Sequence, residues 1–146
     1  MNKINKLEQE SIYIIREAYR KLKPLGVLWS MGKDSNVVLW LIKKAFLGDV
    51  PFKVLLLDTG DELDEVYQFR DRYVKEWDLD YVNIECPGIE ETDITLPMNA
   101  RMAARKTLGL KKALKEHDFK GIAVGIRRDE QPIRGKERVF SPRNDQ

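Results

Sequence analysis

Residues 27–35, V-L-W-S-M-G-K-D-S, decide the fold. They open with a short apolar run that is typical of a buried strand, and they close in a small polar turn that contains Gly32. The apolar run V-V-L-W-L-I at 37–42 then begins a helix. Because the first N–H groups of a helix lack intrahelical partners and carry the positive end of its dipole, this order of strand, turn and helix predicts an anion site.

The side chains of this turn suit a phosphate. The serines add hydroxyl donors, Lys33 adds a cation, and Gly32 lets the backbone approach closely. Either Asp34 or Ser35 is expected to cap the helix. The spacing differs from the G-x-x-x-x-G-K-[ST] pattern of P-loop proteins. The alternative interpretation is an ordinary strand-to-helix turn, in which small polar residues serve capping alone. The candidate phosphate ligands are Ser30, Gly32, Lys33, Asp34 and Ser35.

Composition limits the class of protein. A chain of 146 residues is one domain's worth, and 42% apolar with 34% charged residues is an ordinary globular balance. The net charge of +2 gives no overall reason to bind nucleic acid or an anionic membrane. The single cysteine, Cys86, excludes an internal disulfide and a multi-cysteine metal site. No apolar run is long enough to span a bilayer or to act as a signal peptide, so we expect a cytoplasmic protein.

Hydrophobic patterns predict an α/β fold. Further strands are expected at 51–57, which reads as a central parallel strand, at 79–84, which reads as an edge, and at 121–125. Helices are expected at 7–22, at 61–77 and at about 100–117, the last one broken near Gly109. We therefore expect a single three-layer domain, residues 1–130, with a mostly parallel sheet between helices. Residues 131–146 are expected to form a basic, mobile C-terminal segment, and the long loop 85–99 is a candidate substrate flap or partner surface.

Three polar segments follow three of these strands. They are residues 30–35, residues 58–60 and residues 125–130. Because ligands of open α/β sheets bind beyond the carboxyl ends of the strands, we expect one nucleotide pocket there. The paired guanidinium groups of Arg127 and Arg128 suit phosphate or sulfate oxygens. The further candidates for the pocket are Asp58, Thr59, Gly60 and Gly125.

The order of these motifs resembles the adenylylsulfate group of the N-type ATP pyrophosphatase superfamily. The motifs are S-x-G-K-D-S at 30–35, L-D-T-G at 57–60 and G-x-R-R-D-E at 125–130, followed by K-E-R at 136–138. This group includes the small subunits of bacterial sulfate adenylyltransferases, the nearest likeness, and the adenylylsulfate and phosphoadenylylsulfate reductases. Two departures stand out: Met31 lies where many members carry a second glycine, and the chain stops at Gln146 while relatives continue.

The resemblance implies an adenine nucleotide α-hydrolase-like fold that binds ATP and cleaves it between the α- and β-phosphates. It implies that residues 30–35 cradle the β- and γ-phosphates and that residues 58–60 lie beside the adenosine. Lys33, Arg127 and Arg128 would be catalytic, with Gly125 also at the cofactor. A magnesium ion (Mg2+) is implied, with Asp34 or Asp129 as ligand. The alternative for Asp129 is an ion pair that only orders its loop.

The implied reaction is adenylyl transfer to sulfate or a similar anion, with a GTPase subunit or self-association completing the enzyme. One alternative is a reductase of phosphoadenylylsulfate or adenylylsulfate. The nucleophilic cysteine of those enzymes lies in a C-terminal segment absent here, so we interpret Cys86 as a small buried side chain. A second alternative is a nucleic-acid binding or modification module. It would use the basic tail and four lysines otherwise expected to face solvent, Lys106, Lys111, Lys112 and Lys115.

Overall fold

A computed structural model describes residues 2–126 and 138–143. The helices are α1 (Lys3–Lys21), α2 (Lys33–Ala45), α3 (Asp64–Glu76) and α4 (Met98–His117), and one turn of 3₁₀ helix spans Ile89–Glu91. The strands are β1 (Leu25–Leu28), β2 (Lys53–Asp58), β3 (Asp80–Glu85) and β4 (Gly121–Ala123).

The four described strands form one parallel sheet in the order β3-β2-β1-β4. Val27 of β1 lies opposite Val54 of β2 on one side and Ala123 of β4 on the other. The chain therefore builds outward from β1 to β3 and then returns to the other side of β1. The carboxyl ends of β1 and β4 form the switch point at which ligands of such sheets bind.

The two faces of the sheet have separate cores, which confirms the predicted three layers. Val27, Trp29 and Val54 are at most 1% exposed and face the layer that contains α1, α2 and α3. On the other face, Leu55 and Ala113 of α4 are fully buried. Side chains of a strand alternate between its faces, so β1 and β2, apolar at almost every position, are covered on both sides.

Helix α1 packs through the apolar stripe that its sequence predicts. Tyr19 stacks on Phe52 with ring centroids 5.3 Å apart and meets the edge of Phe46 at 5.0 Å. The Arg16 Nε donates to the Ala45 carbonyl at 2.9 Å. A cation at this place satisfies a carbonyl that the end of α2 leaves without an intrahelical partner.

Several predicted boundaries are wrong. Helix α4 is continuous through Gly109. The glycine serves packing and does not break the helix, since a Cβ there would lie 2.7 Å from the Cys86 Sγ. Helix α3 begins at Asp64 rather than at 61, and β4 ends at Ala123 rather than at 125. The predicted domain limit at 130 and most of the predicted segment 131–146 lie outside the described residues. In the part of the chain that the structure describes, no helix has the length and apolar character needed to cross a membrane.

Candidate functional site

The turn between β1 and α2 is held by its own serines. The Ser35 hydroxyl accepts from the Ser30 N–H at 3.2 Å and donates to the Gly32 carbonyl at 3.0 Å. The two hydroxyl groups share a hydrogen bond of 3.1 Å. Ser35 is buried and Ser30 is exposed. Ser35 therefore shapes the turn from below, whereas Ser30 lies where a ligand could reach it.

The prediction that Asp34 or Ser35 caps α2 is wrong. The N-cap residue is Gly32, which makes no side-chain cap, and α2 begins at Lys33. The N-cap residue therefore places no side chain over the helix end, where the first N–H groups lack intrahelical partners. Gly32 has φ −75°, which any residue adopts, so the backbone conformation does not require a glycine at this position. The absence of a side chain instead keeps the approach to the N-terminus of α2 open.

Met31 takes the strained position of the turn. Its φ is 70°, in the left-handed region that favours glycine. A glycine at this position would adopt the same φ without that steric cost. The Met31 carbonyl accepts from the Asn36 side chain at 3.2 Å, and the Asn36 oxygen accepts from the Trp29 indole at 2.7 Å. The turn is thus tied to the core below it.

Lys33 and Asp34 lie on the solvent side of the turn. The Lys33 Nζ is 2.9 Å from the Asp34 Oδ1, and their side chains are 90% and 54% exposed. An exposed pair of this kind adds little stability. Both groups are accessible to a bound anion or to its counter-ion.

Gly125 brings the end of β4 to the same turn. A Cβ at this position would lie 3.2 Å from the Asp34 carbonyl oxygen and 2.9 Å from a Val38 methyl. Only glycine lets the chain after β4 pass so close to the first turn of α2. The predicted meeting of residues 30–35 and Gly125 is therefore present in the structure.

Asp58, at the end of β2, is surrounded by donors from the protein. Its Oδ1 accepts from the Gly60 N–H at 2.8 Å and from the Tyr67 hydroxyl at 2.6 Å, and its Oδ2 accepts from the Asn83 amide at 3.1 Å. Burial raises the pKa of this carboxyl, but the hydrogen bonds outweigh burial and hold the pKa below the ordinary value of 3.8. Asp58 therefore orders the loop 58–60.

Arg105 of α4 holds the other side of this loop. Its Nη2 donates to the Thr59 carbonyl at 2.8 Å, its Nε donates to the Pro87 carbonyl at 2.8 Å, and its Nη1 is 3.1 Å from the Asp61 carboxylate. Sequence reasoning missed Arg105, Tyr67 and Asn83. The partners of Arg105 lie up to 46 residues away in the chain, so no pattern of neighbouring residues predicts these hydrogen bonds.

The segment 85–99 is partly fixed to α4. Arg101 donates to the Thr92 hydroxyl and to the Ile89 carbonyl, both at 2.9 Å, and Thr92 is buried. These bonds, with the Arg105 bond to Pro87, fasten the first half of the segment. The remainder around Ile94 and Leu96 is exposed, and the role of this segment as a substrate flap or partner surface stays a prediction.

Cys86 does not have the surroundings of a reactive thiol. It is half-buried against Gly109, and burial raises its pKa despite the nearby Arg105 and Lys106. A thiol with a raised pKa carries little of the nucleophilic thiolate at neutral pH. This agrees with its interpretation as a packing residue.

Three predicted site residues, Arg127, Arg128 and Asp129, lie outside the described residues. Within residues 2–126 and 138–143, no group of three or more acidic, histidine or cysteine side chains is arranged to hold a metal ion. The described part of the site thus consists of the turn 30–35, the loop 58–60 and Gly125, which all lie at the carboxyl edge of the sheet.

A parallel sheet with a helix N-terminus at its switch point is the arrangement in which α/β proteins bind nucleotides and other anions. A sequence model of the phosphoadenosine phosphosulfate reductase domain matches residues 24–146. The chain belongs to this family.

Individual relatives agree with the family assignment. The chain is 41% identical over 145 residues to sulfate adenylyltransferase subunit 2 of Zymomonas mobilis and to that of Pseudomonas fluorescens, in each case over 97% of this chain and 48% of the relative. It therefore spans about half the length of the curated relatives it matches. A crystal structure of phosphoadenylyl-sulfate reductase from Candida auris superimposes with a TM-score of 0.62 at 15% identity, over 87% of this chain and 69% of that one. This likeness confirms the predicted adenine nucleotide α-hydrolase-like fold.

Proposed function

We propose that this chain binds ATP at the carboxyl edge of its sheet and transfers the adenylyl group to sulfate, releasing pyrophosphate. The observation that carries the proposal is the turn 30–35, which leaves the N-terminus of α2 without a side-chain cap at the switch point of the sheet. The relatives that cover nearly the whole chain are named sulfate adenylyltransferase subunits, which favours sulfate as the acceptor.

In this proposal the β- and γ-phosphates occupy the turn. The N–H groups at the start of α2, the Ser30 hydroxyl and the Lys33 ammonium would donate to phosphate oxygens, while Ser35 keeps the turn in shape. Asp34 is assigned to the same cradle. Gly125 would keep the end of β4 close to the phosphates.

The adenosine is assigned to the loop 58–60, beside the turn. Neighbouring parallel strands β1 and β2 place the two segments at the same edge of the sheet. Backbone groups of this loop other than the Thr59 carbonyl and the Gly60 N–H would read the adenine, since these two groups and the Asp58 carboxylate are already engaged by the protein.

The reaction needs positioning and charge neutralisation more than covalent chemistry by the protein. A sulfate oxygen would form a bond to the α-phosphorus while the bond from that phosphorus to the bridging oxygen of the β-phosphate breaks. The electron pair leaves with pyrophosphate, on the side opposite the attack. Lys33 would neutralise the charge that grows on the leaving group, and Arg127 and Arg128 are assigned to the sulfate and α-phosphate oxygens.

Magnesium fits this arrangement as a partner of the nucleotide. Mg2+ is commonly held by one or two carboxylates together with substrate phosphates, and the Asp34 carboxylate is accessible beside the turn. Asp34 is proposed as a ligand, with Asp129 as the second. When bound, the ion would supply positive charge to the phosphates, as Lys33 does from the protein.

We also propose that the enzyme works as part of an assembly, because the relatives are named as subunits and are about twice as long. A GTPase subunit is the proposed partner, and self-association is the alternative. Residues 1–130 are proposed as the nucleotide-binding unit, with the basic segment 131–146 following it.

The experiment that tests this function is pyrophosphate release from ATP and magnesium, with and without sulfate. We expect release that depends on sulfate, together with ATP binding. Binding of phosphoadenylylsulfate without any ATP binding would replace the proposal with the reductase alternative, in which case Cys86→Ser would have to abolish activity. Binding of RNA or DNA that falls steeply with salt, without ATP turnover, would support the nucleic-acid alternative.

A further inference from the structure

The peptide group that joins Thr59 to Gly60 is held at both of its ends by side chains. Its carbonyl oxygen, from Thr59, accepts from the Arg105 Nη2 at 2.8 Å, and its N–H, from Gly60, donates to the Asp58 Oδ1 at 2.8 Å. Because a peptide group is planar, these two bonds fix the orientation of the whole unit.

We infer that Arg105 is a positioning residue for the adenosine site: it prevents this peptide from rotating and so presents the backbone of the loop 58–60 in one orientation. The inference rests on the proposed function, which assigns the adenosine to this loop. Arg105 itself would not contact the nucleotide.

Glycine makes such a restraint necessary. Gly60 has φ 82°, and glycine adopts positive and negative φ about equally well. Without a bond to the Thr59 carbonyl, the peptide could turn over at little steric cost. The bond to Asp58 holds one end only, and the Asp58 carboxylate also serves Tyr67 and Asn83.

Arg105 is suited to this task because it is itself held on three sides. Its side chain is only 11% exposed, and its three nitrogens bond to Thr59, Pro87 and Asp61. The planar guanidinium spans these acceptors at fixed geometry, which a lysine ammonium cannot do. The helix α4 thereby sets the shape of a loop that follows a different strand.

Arg101 provides a matched control one turn earlier on α4. It makes bonds of the same kind, to the Thr92 hydroxyl and the Ile89 carbonyl at 2.9 Å, but these partners lie in the segment after β3 and not in the loop 58–60. A general loss of α4 packing would affect both arginines alike, whereas a positioning role belongs to Arg105 alone.

The test measures binding of ATP, AMP and inorganic pyrophosphate by calorimetry to the native chain, Arg105→Met, Arg105→Lys and Arg101→Met. We expect Arg105→Met to weaken the binding of ATP and AMP about tenfold, because the Thr59–Gly60 peptide must then be oriented during binding without its bond to a charged group, and to leave the binding of pyrophosphate unchanged. Arg105→Lys should be intermediate, and Arg101→Met should bind all three as the native chain does. Hydrogen exchange of the Gly60 amide should be faster in Arg105→Met and unchanged in Arg101→Met.

The outcomes separate this inference from the proposed function. A native chain that binds neither ATP nor AMP would overturn the proposed function and, with it, the adenosine assignment. Native binding that Arg105→Met leaves unchanged, or an equal loss for pyrophosphate, or an equal loss in Arg101→Met, would overturn the role of Arg105 alone. If Arg105→Met does not fold, the comparison of Arg105→Lys with Arg101→Met decides between the same outcomes.

Discussion

The turn after β1 and the loop after β2 lie at the same edge of the sheet, but their polar groups are directed differently. In the turn, the Lys33 and Asp34 side chains form an exposed ion pair, and the N-cap Gly32 has no side chain. In the loop, both Asp58 oxygens and the Thr59 carbonyl are engaged by the protein. The turn is arranged to receive a charged group from outside, whereas the loop is a braced surface.

The largest expected effect tests whether the charge of Lys33 acts through its position in the turn. Lys33→Ala should lower the rate of pyrophosphate release about 100-fold or more, because a preorganised donor to the developing charge is lost. Its side chain is 90% exposed, so the free energy of unfolding should change by less than about 0.5 kcal/mol.

Lys53→Ala is the control for Lys33→Ala. The Lys53 ammonium lies 3.1 Å from Asp80, also in an exposed pair, but at the opposite edge of the sheet. It should leave the rate unchanged. Equal losses in the two variants would show that general surface charge, and not the turn, supports the reaction.

The next effect tests how closely β4 must approach the turn. Gly125→Ala would place a Cβ 3.2 Å from the Asp34 carbonyl oxygen and 2.9 Å from Val38, so we expect a loss of about 1–3 kcal/mol in unfolding free energy and weaker binding of ATP. In Gly121→Ala, at the start of β4, the added Cβ would lie 3.0 Å from the Leu22 side chain, so this variant should lower stability without weakening the binding of ATP. Denaturant unfolding and calorimetry measure the two effects. Unaltered ATP affinity in Gly125→Ala would break the link between β4 and the turn.

A smaller effect tests the braced loop through pH. Tyr67→Phe removes a donor to the ionised Asp58 and should lower the unfolding free energy by about 1–2 kcal/mol at neutral pH. The folded-state pKa of Asp58 is below 3.8, so this contribution is complete above pH 3.8 and is lost as the pH falls through the folded-state pKa. The difference in unfolding free energy between the native chain and Tyr67→Phe should therefore shrink in acid. Urea unfolding at neutral pH and in acid would measure this change.

Tyr13→Phe controls for the loss of a tyrosine hydroxyl. That hydroxyl meets Glu17 at 3.3 Å on the exposed face of α1, so the variant should behave as the native chain does. If the loss of unfolding free energy in Tyr67→Phe stays constant from pH 7 to acid, the ionised Asp58 carboxylate is not the partner that makes this hydroxyl stabilising.

The smallest effect concerns the backbone of the turn. Met31→Gly should be more stable than Met31→Ala by about 1 kcal/mol, because both lose the methionine side chain and only alanine keeps the cost of φ 70°. Leu47, exposed and at φ 55°, should give the same order of glycine over alanine. Thermal unfolding of the four variants measures both pairs, and a more stable alanine at 31 would remove strain as the explanation of this position.

Much of this comparison could be predicted from the sequence, because the signals are local. The apolar runs of β1 and β2 predict strands covered on both faces, and the polar segment 30–35 predicts a turn from strand to helix, whose role as an anion site stays a prediction. The alternating pattern of 79–84 correctly indicates an edge strand.

The brace on the loop 58–60 could not be predicted, because it depends on residues brought together by the fold. Asn83 and Arg105 are 25 and 46 residues from their partners in this loop. The error at Gly109 has a similar origin. A glycine within a helical pattern suggests a break, and only the contact with Cys86 shows that the helix needs the small residue.

The hydrogen bonds that link Trp29 to the turn allow the fluorescence of the protein to report on binding at the turn. The indole is 1% exposed and is joined through Asn36 to the carbonyl of Met31, so any rearrangement around a bound anion alters the surroundings of a fluorophore in the core. The rings of the other tryptophans, Trp40 and Trp77, have centroids 6.0 Å apart, and replacing both by phenylalanine would leave Trp29 as the remaining tryptophan. The emission of the remaining tryptophan would then follow occupancy of the turn without any attached dye.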